Sequence, residues 1–535
     1  MTLQHVDARF VARLSTAFAA QLPQYLPRQR WFGSKARRIH SVQLVECVPV
    51  PLSSALALIT FARVEFSEGA GETYVLPLIA GDDRRVSRTD PVVVRVPVLE
   101  SPAEMPLTDA VADQEFLAAI LDSILKGESL HGDTGELKAS PETALNELQI
   151  GPANSLPPRI IKGEQSNTSV VYGDRLILKF FRRVEDGINP DEEITHFLTA
   201  VAHFANIPPL YGCLKYKSRD GKVATLGILQ GFVPNRGDAW RFTVETLVEL
   251  FASIDLPTQQ LFPDSNRPSV ASVKDACPVG LASQLQLIGL LGKRTAQLHL
   301  ALAASSSDPD FAPEPFTPEF REGLDSVFHD LAVRNFKTLS SKIPELPESV
   351  GDLAKEVLAL EDDALLALHS VLERDIPSVR TRIHGDYHLG QVLFTGSDFF
   401  IIDFEGEPAR PLSARRVKRS PLQDVAGMLR SFHYAARSAS VTAQERRARS
   451  HQPDGHVEQL AAQWRASASS EFLRAYRRTA GDARFLPSVS AEFDVLLRVH
   501  ILEKAIYELG YELNNRPSWV AIPLEGIREI LSIRA

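Results

Sequence analysis

Two acids, Asp386 and Asp403, lie in the stretch of the sequence with the most chemically unusual residues. Asp386 lies in a polar loop, and Asp403 follows directly on a short apolar run. The apolar runs Val392–Phe394 and Phe399–Ile402, separated by a turn-forming segment, predict a two-stranded hairpin. This hairpin would bring the two acids to the same end of the ribbon, with Gln391 beside them.

This set of side chains suits phosphoryl transfer assisted by a metal ion. One carboxylate, that of Asp386, would orient an attacking hydroxyl and accept its proton. The carboxylate of Asp403 and the amide oxygen of Gln391 would hold Mg²⁺ against the phosphates. The residues therefore predict a general base and a magnesium site at one end of the hairpin.

A second stretch offers groups that bind phosphate. A short polar run predicts a turn between β-rich segments, and its backbone N–H groups and hydroxyls suit phosphate oxygens. Lys179 closes an apolar run, where a lysine is costly to bury without an anionic partner. Glu193, in the helix-forming segment that follows, is the candidate partner. The residues of the predicted turn are Gln165, Ser166, Asn167, Thr168 and Ser169.

The order of these groups along the chain resembles that of kinases. Asp386 and Gln391 have the spacing of the catalytic Asp and the metal-binding Asn in kinase catalytic loops. Asp403-Phe404-Glu405 stands where eukaryotic-like kinases carry Asp-Phe-Gly, so Gln391 and Glu405 are the departures from that pattern. Glu405 would add a third oxygen ligand to the metal environment.

The segment His384-Gly-Asp386 is similar to the small-molecule branch of these kinases, which includes the aminoglycoside phosphotransferases. This resemblance implies that ATP is the phosphoryl donor, with Lys179 and Glu193 forming the ion pair that serves its phosphates. It also implies a hinge segment that hydrogen-bonds adenine. The hinge candidates are Gln230, Phe232 and Val233.

The wider resemblance is to maltokinases, including those fused to trehalose synthase, and it covers nearly the whole chain. It rests on the segments 29–37, 165–170, 382–408, 419–434 and 503–519. The first of them, Gln29-Arg-Trp-Phe-Gly-Ser-Lys-Ala-Arg37, is the most diagnostic, because the catalytic loop is shared by many relatives. The resemblance implies that maltose is phosphorylated to maltose 1-phosphate, which feeds α-glucan synthesis, and that trehalose synthase is a possible partner.

Six residues are candidates for binding the acceptor sugar. Glu503, Tyr507 and Tyr511 recur at four-residue spacing and share one face of a predicted helix, and Arg430 and Tyr434 do the same on another predicted helix. Aromatic rings stack on the apolar face of a sugar, and charged groups hydrogen-bond its hydroxyls. The same residues would serve equally well as core aromatics and intrahelical charge pairs, and both interpretations remain open. The candidates are His388, Arg430, Tyr434, Glu503, Tyr507 and Tyr511.

The chain has 535 residues, more than one hydrophobic core normally supports. A helical pattern over 1–25 and strand patterns over 41–50, 55–66, 73–80 and 92–98 predict a small α+β cap. We expect a helix over 110–125, a connection with one short helical piece over 126–158 and a helical segment over 350–372. The predicted fold is α+β and bilobal, protein-kinase-like, with an N-terminal cap. Its predicted parts are a cap (1–100), an N-lobe with the nucleotide loop (101–235) and a mainly helical C-lobe (236–535).

Composition excludes several other classes of protein. The net charge of −9 argues against a binder of duplex nucleic acid, which needs a basic face. No apolar stretch is long enough for a membrane span. The three cysteines lack metal-ligand spacing, so we expect reduced thiols in a cytoplasmic protein.

Two other functions remain open. Capped glucosamine kinases share the predicted architecture, and the glutamates of 503–512 include candidates for binding an ammonium group. A kinase-like module that only docks onto trehalose synthase is the third hypothesis. The presence of Lys179, Asp386 and Asp403 argues against it, because pseudokinases usually lack one of these groups.

Overall fold

The computed structural model describes residues 6–80, 91–99, 101–148, 150, 152–161, 167–253, 279–374, 376–449 and 456–532. The chain divides into two compact units. The first comprises Met1–Val201 and Pro208–Pro234, and the second Ala202–Ile207 and Asn235–Ala535. The three-part division expected from the sequence remains a prediction.

The first unit combines three α-helices with thirteen strands in its described residues. In chain order they are α1 (Ala8–Tyr25), β1 (Ile39–Pro51), β2 (Leu56–Phe66), β3 (Glu72–Ala80), β4 (Val92–Pro97), β5 (Glu104–Asp109), α2 (Gln114–Lys126), β6 (Ser129–His131), β7 (Gly135–Pro141), β8 (Pro158–Ile160), β9 (Asn167–Tyr172), β10 (Leu176–Phe181), β11 (Arg183–Val184), α3 (Pro190–His196), β12 (Leu210–Ser218) and β13 (Val223–Gly231).

These strands form two antiparallel sheets. The first has the order β1-β2-β3-β5-β4, with β11 also pairing with β3, and the second has the order β6-β7-β12-β13-β10-β9-β8. Helix α1 begins after Asp7, whose side chain accepts a hydrogen bond from the N–H of Phe10 at 2.7 Å. Its apolar face, with Leu14, Phe18 and Leu22 buried, packs in one core with the first sheet. The predicted α+β cap is confirmed.

Glu46 on β1 joins the first sheet to the second. Its carboxylate accepts hydrogen bonds from the backbone N–H of Asp133 (3.0 Å) and of Thr134 (2.9 Å) in the turn between β6 and β7. It also accepts bonds from the hydroxyls of Thr134 and Tyr216, both at 2.6 Å. Glu46 is only 4% exposed, so these donors replace the water that a carboxylate normally needs.

Three strands of this unit were not predicted. The connection expected over 126–158 contains β6 and β7, and β5 was not predicted at all. Strand β7 pairs with β12, for example Leu214 with Ala139, and β5 pairs with β3 and β4. Strand β7 therefore depends on a partner that is distant in sequence, which local patterns do not show, whereas β5 pairs with the strands that precede it in the chain.

The second unit is mainly helical in its described residues. In chain order its elements are α4 (Ala239–Ser253), α5 (Val279–Leu302), β14 (Glu314–Pro315), α6 (Pro318–Lys342), α7 (Glu348–Leu358), α8 (Glu361–His369), β15 (Val379–Arg380), β16 (Val392–Phe394), β17 (Phe399–Ile401), α9 (Leu412–Arg415), α10 (Leu422–Arg449), α11 (Val457–Ala480), α12 (Ser490–Asn515) and α13 (Ala521–Ser532).

Helix α10 lies at the centre of this unit and packs against α4, α11 and α12. Its first turns are buried almost all round, including the polar Asp424 and Arg430. The segment 350–372, predicted as one helical stretch, is two helices, α7 and α8. None of the described helices is both long and apolar enough to span a membrane.

Candidate active site

The hairpin predicted from the two apolar runs is present as β16 and β17. Val392 pairs with Ile401 and Phe394 pairs with Phe399. Beyond its end, the side-chain amide of Gln391 donates a hydrogen bond to Oδ2 of Asp403 at 2.7 Å. The structure therefore brings these two predicted metal ligands together.

Asp403 has a left-handed backbone, with φ of 71°. This conformation is uncommon for residues other than glycine, although Asp and Asn tolerate it best. Carboxylate oxygens of Asp403 and Glu405 lie within 4.8 Å of each other. Since the amide of Gln391 donates through its nitrogen, its carbonyl oxygen is the atom left for a cation. These hard oxygen donors fit Mg²⁺.

A buried carboxylate anchors the loop that carries Asp386. Asp424 on α10 accepts hydrogen bonds from the N–H groups of His384 (2.8 Å) and Gly385 (2.9 Å). Its carboxylate also contacts Nε2 of His299 at 3.1 Å, and Nδ1 of that histidine bonds the hydroxyl of Tyr476 at 2.8 Å. Asp424 is 1% exposed, so the loop is tied to the centre of the helical unit.

Close packing of the same loop requires glycine on α10. A Cβ atom at Gly427 would lie 2.6 Å from the carbonyl oxygen of Tyr387. The hydroxyl of Tyr387 in turn bonds that of Thr295 at 2.9 Å, which anchors the other side of the loop. Asp424 and Gly427 were not singled out from the sequence, since their roles depend on a loop about forty residues away.

Asp386 lies beside positive charge. Nζ of Lys504 on α12 is 3.3 Å from Oδ1 of Asp386, and Nε2 of His388 is 3.9 Å from Oδ2. Burial raises the pKa of Asp386, but Lys504 and the neighbouring histidines outweigh burial and hold the pKa below its ordinary value. The carboxylate is therefore ionised at neutral pH, which a general base requires.

Two of the acceptor candidates lie next to this ion pair. Lys504 lies 4.9 Å from the ring centroid of Tyr507, whose hydroxyl bonds Glu407. Glu503 is 3.7 Å from Arg410, which also binds Glu407. Burial raises the pKa of Glu503, against the opposing charge of Arg410. Lys504 itself was missed from the sequence, although it stands between Glu503 and Tyr507.

Other acceptor candidates are occupied by packing contacts. Arg430 binds Glu508 at 2.7 Å, and the hydroxyl of Tyr434 donates to Glu512 at 3.1 Å. The ring of Tyr434 also stacks on Trp519, with centroids 6.0 Å apart. These contacts favour the structural interpretation for Arg430 and Tyr434. Tyr511 is 45% exposed. A role in acceptor binding remains a prediction for all six residues.

The predicted lysine of the first unit has a buried anionic partner. Nζ of Lys179 on β10 lies 2.8 Å from Oδ2 of Asp191 on α3, and Asp191 is 1% exposed. Glu193, the predicted partner, lies two residues further along the same helix, and its role remains a prediction. The signal for Asp191 was its place in the first turn of α3, directly after Asn189 and Pro190.

The turn predicted over Gln165–Ser169 is wrong for its last three residues. Asn167, Thr168 and Ser169 begin β9, and the ladder with β10 extends from Tyr172 to Asn167. The hydroxyl of Thr168 accepts a hydrogen bond from Arg182 at 2.9 Å, and the side chain of Ser169 is buried. Gln165 and Ser166 lie outside the described residues, so phosphate binding by this segment remains a prediction.

The predicted hinge residues lie at the end of β13. Gln230 is buried in that strand and pairs with Ile177 of β10. The N–H of Phe232 donates to the carbonyl of Arg175 at 2.9 Å, and Val233 is buried. Contact with adenine remains a prediction for the three.

Comparison with known proteins agrees with this fold. Residues 275–460 match the family model described as phosphotransferase enzyme family, and residues 25–113 match the maltokinase N-terminal cap domain. The solved structure titled glucosamine kinase in complex with glucosamine, ADP and inorganic phosphate has a TM-score of 0.59 at 20% identity, and the alignment covers 97% of this chain and 99% of that chain. The glucosamine kinase of crystal form B gives a TM-score of 0.61 at 19% identity, with the same coverage.

Two curated relatives carry the same name as those structures. A glucosamine kinase of Streptacidiphilus jiangxiensis is 25% identical over 401 residues, covering 74% of this chain and 78% of that protein. A glucosamine kinase of Mycolicibacterium smegmatis is 24% identical over 323 residues, covering 59% and 67%.

The chain has a kinase-like fold, and the match to the phosphotransferase enzyme family lies in residues 275–460. Its N-terminal segment, residues 25–113, matches the cap domain of maltokinases. The resemblance to capped maltokinases is therefore confirmed at the level of domains.

Proposed function

We propose that this chain transfers the γ-phosphoryl group of ATP to the anomeric hydroxyl of maltose, giving maltose 1-phosphate and ADP. Asp386 aligns the hydroxyl and takes its proton as the sugar oxygen bonds to phosphorus. The bond from that phosphorus to ADP breaks, and ADP leaves with the electron pair. This direct transfer requires alignment and charge stabilisation more than covalent chemistry.

Three groups serve the donor in this proposal. Lys179 binds the donor phosphates, while Gln391 and Asp403, with Glu405 nearby, hold Mg²⁺. When bound, the metal ion neutralises charge on the phosphate oxygens. The hydrogen bond between Gln391 and Asp403, at 2.7 Å, supports their assignment to one cation.

The observation that carries the choice of acceptor is the pairing of the glutamates on α12. An aminated sugar is a cation and binds best beside a carboxylate whose charge is not already compensated. Each of the three glutamates in 503–512 has an arginine partner instead: Glu503 pairs with Arg410 (3.7 Å), Glu508 with Arg430 (2.7 Å) and Glu512 with Arg516 (2.6 Å).

The ammonium of Lys504 beside Asp386 would in addition repel a cationic acceptor. A neutral sugar needs only hydrogen bonds from such a surface. Together with the maltokinase-type cap, this balance of charge supports maltose.

Glucosamine is the second candidate acceptor, because the similar curated proteins are named glucosamine kinases. A place in α-glucan synthesis and docking onto trehalose synthase follow only from the resemblance to maltokinases and remain predictions.

An acceptor screen tests the proposal directly. The full chain is incubated with ATP, Mg²⁺ and one of maltose, glucosamine, glucose or an aminoglycoside, and ADP formation and the phosphorylated product are measured. We expect maltose 1-phosphate, and none when EDTA removes the metal. Turnover of glucosamine without turnover of maltose would overturn the proposal.

A further inference from the structure

We propose that Lys504 is the positioning residue for Asp386: its ammonium fixes one carboxylate oxygen, so that the ionised carboxylate keeps its other oxygen for the acceptor hydroxyl. This inference rests on the proposed function, in which Asp386 is the base. The two residues lie on separate elements, 118 residues apart in sequence.

The contact has the geometry that such a role requires. Nζ of Lys504 donates to Oδ1 of Asp386 at 3.3 Å, whereas Oδ2 has His388 as its neighbour at 3.9 Å. The lysine side chain is 26% exposed and the aspartate 23%, so solvent screens the pair only partly. The ring of Tyr507, 4.9 Å from Nζ, limits the positions that the ammonium can take.

The surrounding charges make Asp386 the natural counter-ion of Lys504. Glu407, Glu503 and Glu508 also lie near Lys504, but Glu407 and Glu503 share Arg410, and Glu508 is bound to Arg430. Burial lowers the pKa of Lys504, and Asp386 and these glutamates outweigh it, so its pKa lies above the ordinary value. Lys504 is therefore a permanent cation. Among the described contacts no arginine binds Asp386, so Asp386 is the carboxylate that pairs with Lys504.

The chemistry of phosphoryl transfer explains why such a lysine is useful. An opposite charge makes a carboxylate a weaker base, which would slow a reaction limited by proton removal. In a loose transition state, however, little charge develops on the attacking oxygen, so alignment matters more than basicity. An ionised and fixed carboxylate is then better than a more basic but mobile one.

The test is the pH dependence of turnover in Lys504→Met and Lys504→Arg. The pKa of Asp386 is depressed in the folded protein, so activity is lost as pH falls through that value. In Lys504→Met the acidic limb of kcat/KM should move to higher pH by about 1–3 units, the effect of one opposite charge. His388, His384 and Tyr507 also face Asp386 and are unchanged. Lys504→Arg keeps the charge and should keep the limb near its original position.

The matched control is Lys355→Met, which removes a lysine paired with an aspartate on the exposed surface, Asp352, at 2.9 Å. This variant should have the wild-type profile. A pH profile of Lys504→Met that coincides with that of the wild type would overturn the proposal. A shift of the acidic limb in Lys504→Arg as large as that in Lys504→Met would also overturn it.

A second measurement separates this inference from the identity of the acceptor. Thermal unfolding of Lys504→Met, Asp386→Asn and the double variant needs no substrate. If the residues are coupled, the double variant should lose less than the sum of the two single shifts in Tm. Additive shifts would overturn the pairing. Coupling found in a protein that does not phosphorylate maltose would instead overturn only the choice of acceptor.

Discussion

Asp386 combines partial burial with a compensating cation, and this combination determines how a substitution should act. Asp386→Asn keeps the size of the side chain but cannot accept a proton. Turnover should fall by roughly 10²–10⁴-fold, the usual contribution of a general base, while ATP binding is retained. Initial rates and nucleotide titration would measure the two effects. The exposed Asp352→Asn is the control, and an unchanged rate in Asp386→Asn would exclude the residue as the base.

In the proposed reaction, Lys179 is the residue that binds the donor phosphates. Its ion pair with Asp191 is largely buried, so its position is defined before any ligand binds. Lys179→Met should lower kcat with ATP by about 10²–10³-fold, as loss of one preorganised charge does. Lys222→Met removes a lysine that pairs with Asp186 on the surface of the same unit, so it should leave kcat unchanged. Equal rates in the two variants would contradict the assignment.

At the scale of elements, the loop that carries Asp386 depends on its packing against α10. Gly427→Ala places a methyl group against the carbonyl of Tyr387, so the loop must shift. We expect a loss of about 1–3 kcal/mol in the free energy of unfolding, and a lower kcat, because the loop carries Asp386.

Gly323→Ala is the matched helical control. A Cβ there meets nothing within 4 Å, so this change should stabilise the protein by about 0.5–1 kcal/mol. Thermal unfolding and initial rates of both variants give the comparison. If Gly427→Ala behaved like Gly323→Ala, close packing would not be what positions the loop.

The elements that the sequence predicts well are those whose determinants are local. The hairpin of β16 and β17 follows from two short apolar runs and a turn, and so does the meeting of Gln391 and Asp403. Strand β7 was not predictable in the same way, because its partner β12 lies more than seventy residues away. Lys504 was missed for a related reason, since only the fold brings α12 beside Asp386.

At the scale of the whole molecule, the hydrogen bonds of Glu46 that connect the two sheets of the first unit should make its stability depend on pH. Burial raises the pKa of Glu46, but its hydrogen bonds from Thr134, Tyr216 and Cys47 outweigh burial and lower it. A depressed pKa contributes stability that is present above the unfolded value, about 4.3, and is lost as pH falls through the folded value.

Glu46→Gln should therefore lower Tm at pH 7 and weaken the dependence of Tm on pH below about 4.3. The exposed Glu68→Gln serves as control and should have the wild-type curve. Thermal unfolding over a series of pH values measures both. A Glu46→Gln protein that loses stability in acid as steeply as wild type would show that another carboxylate dominates.

The left-handed backbone of Asp403 has a consequence for mutagenesis of the proposed metal site. Alanine at this position removes the carboxylate and also adds conformational strain of about 1–2 kcal/mol, whereas glycine removes only the carboxylate. Asp403→Gly should therefore retain more thermal stability than Asp403→Ala, with both equally poor at using Mg²⁺. Asparagine tolerates the conformation and is therefore the better neutral replacement. Routine alanine scanning would overestimate the loss of stability that comes from removing the carboxylate alone.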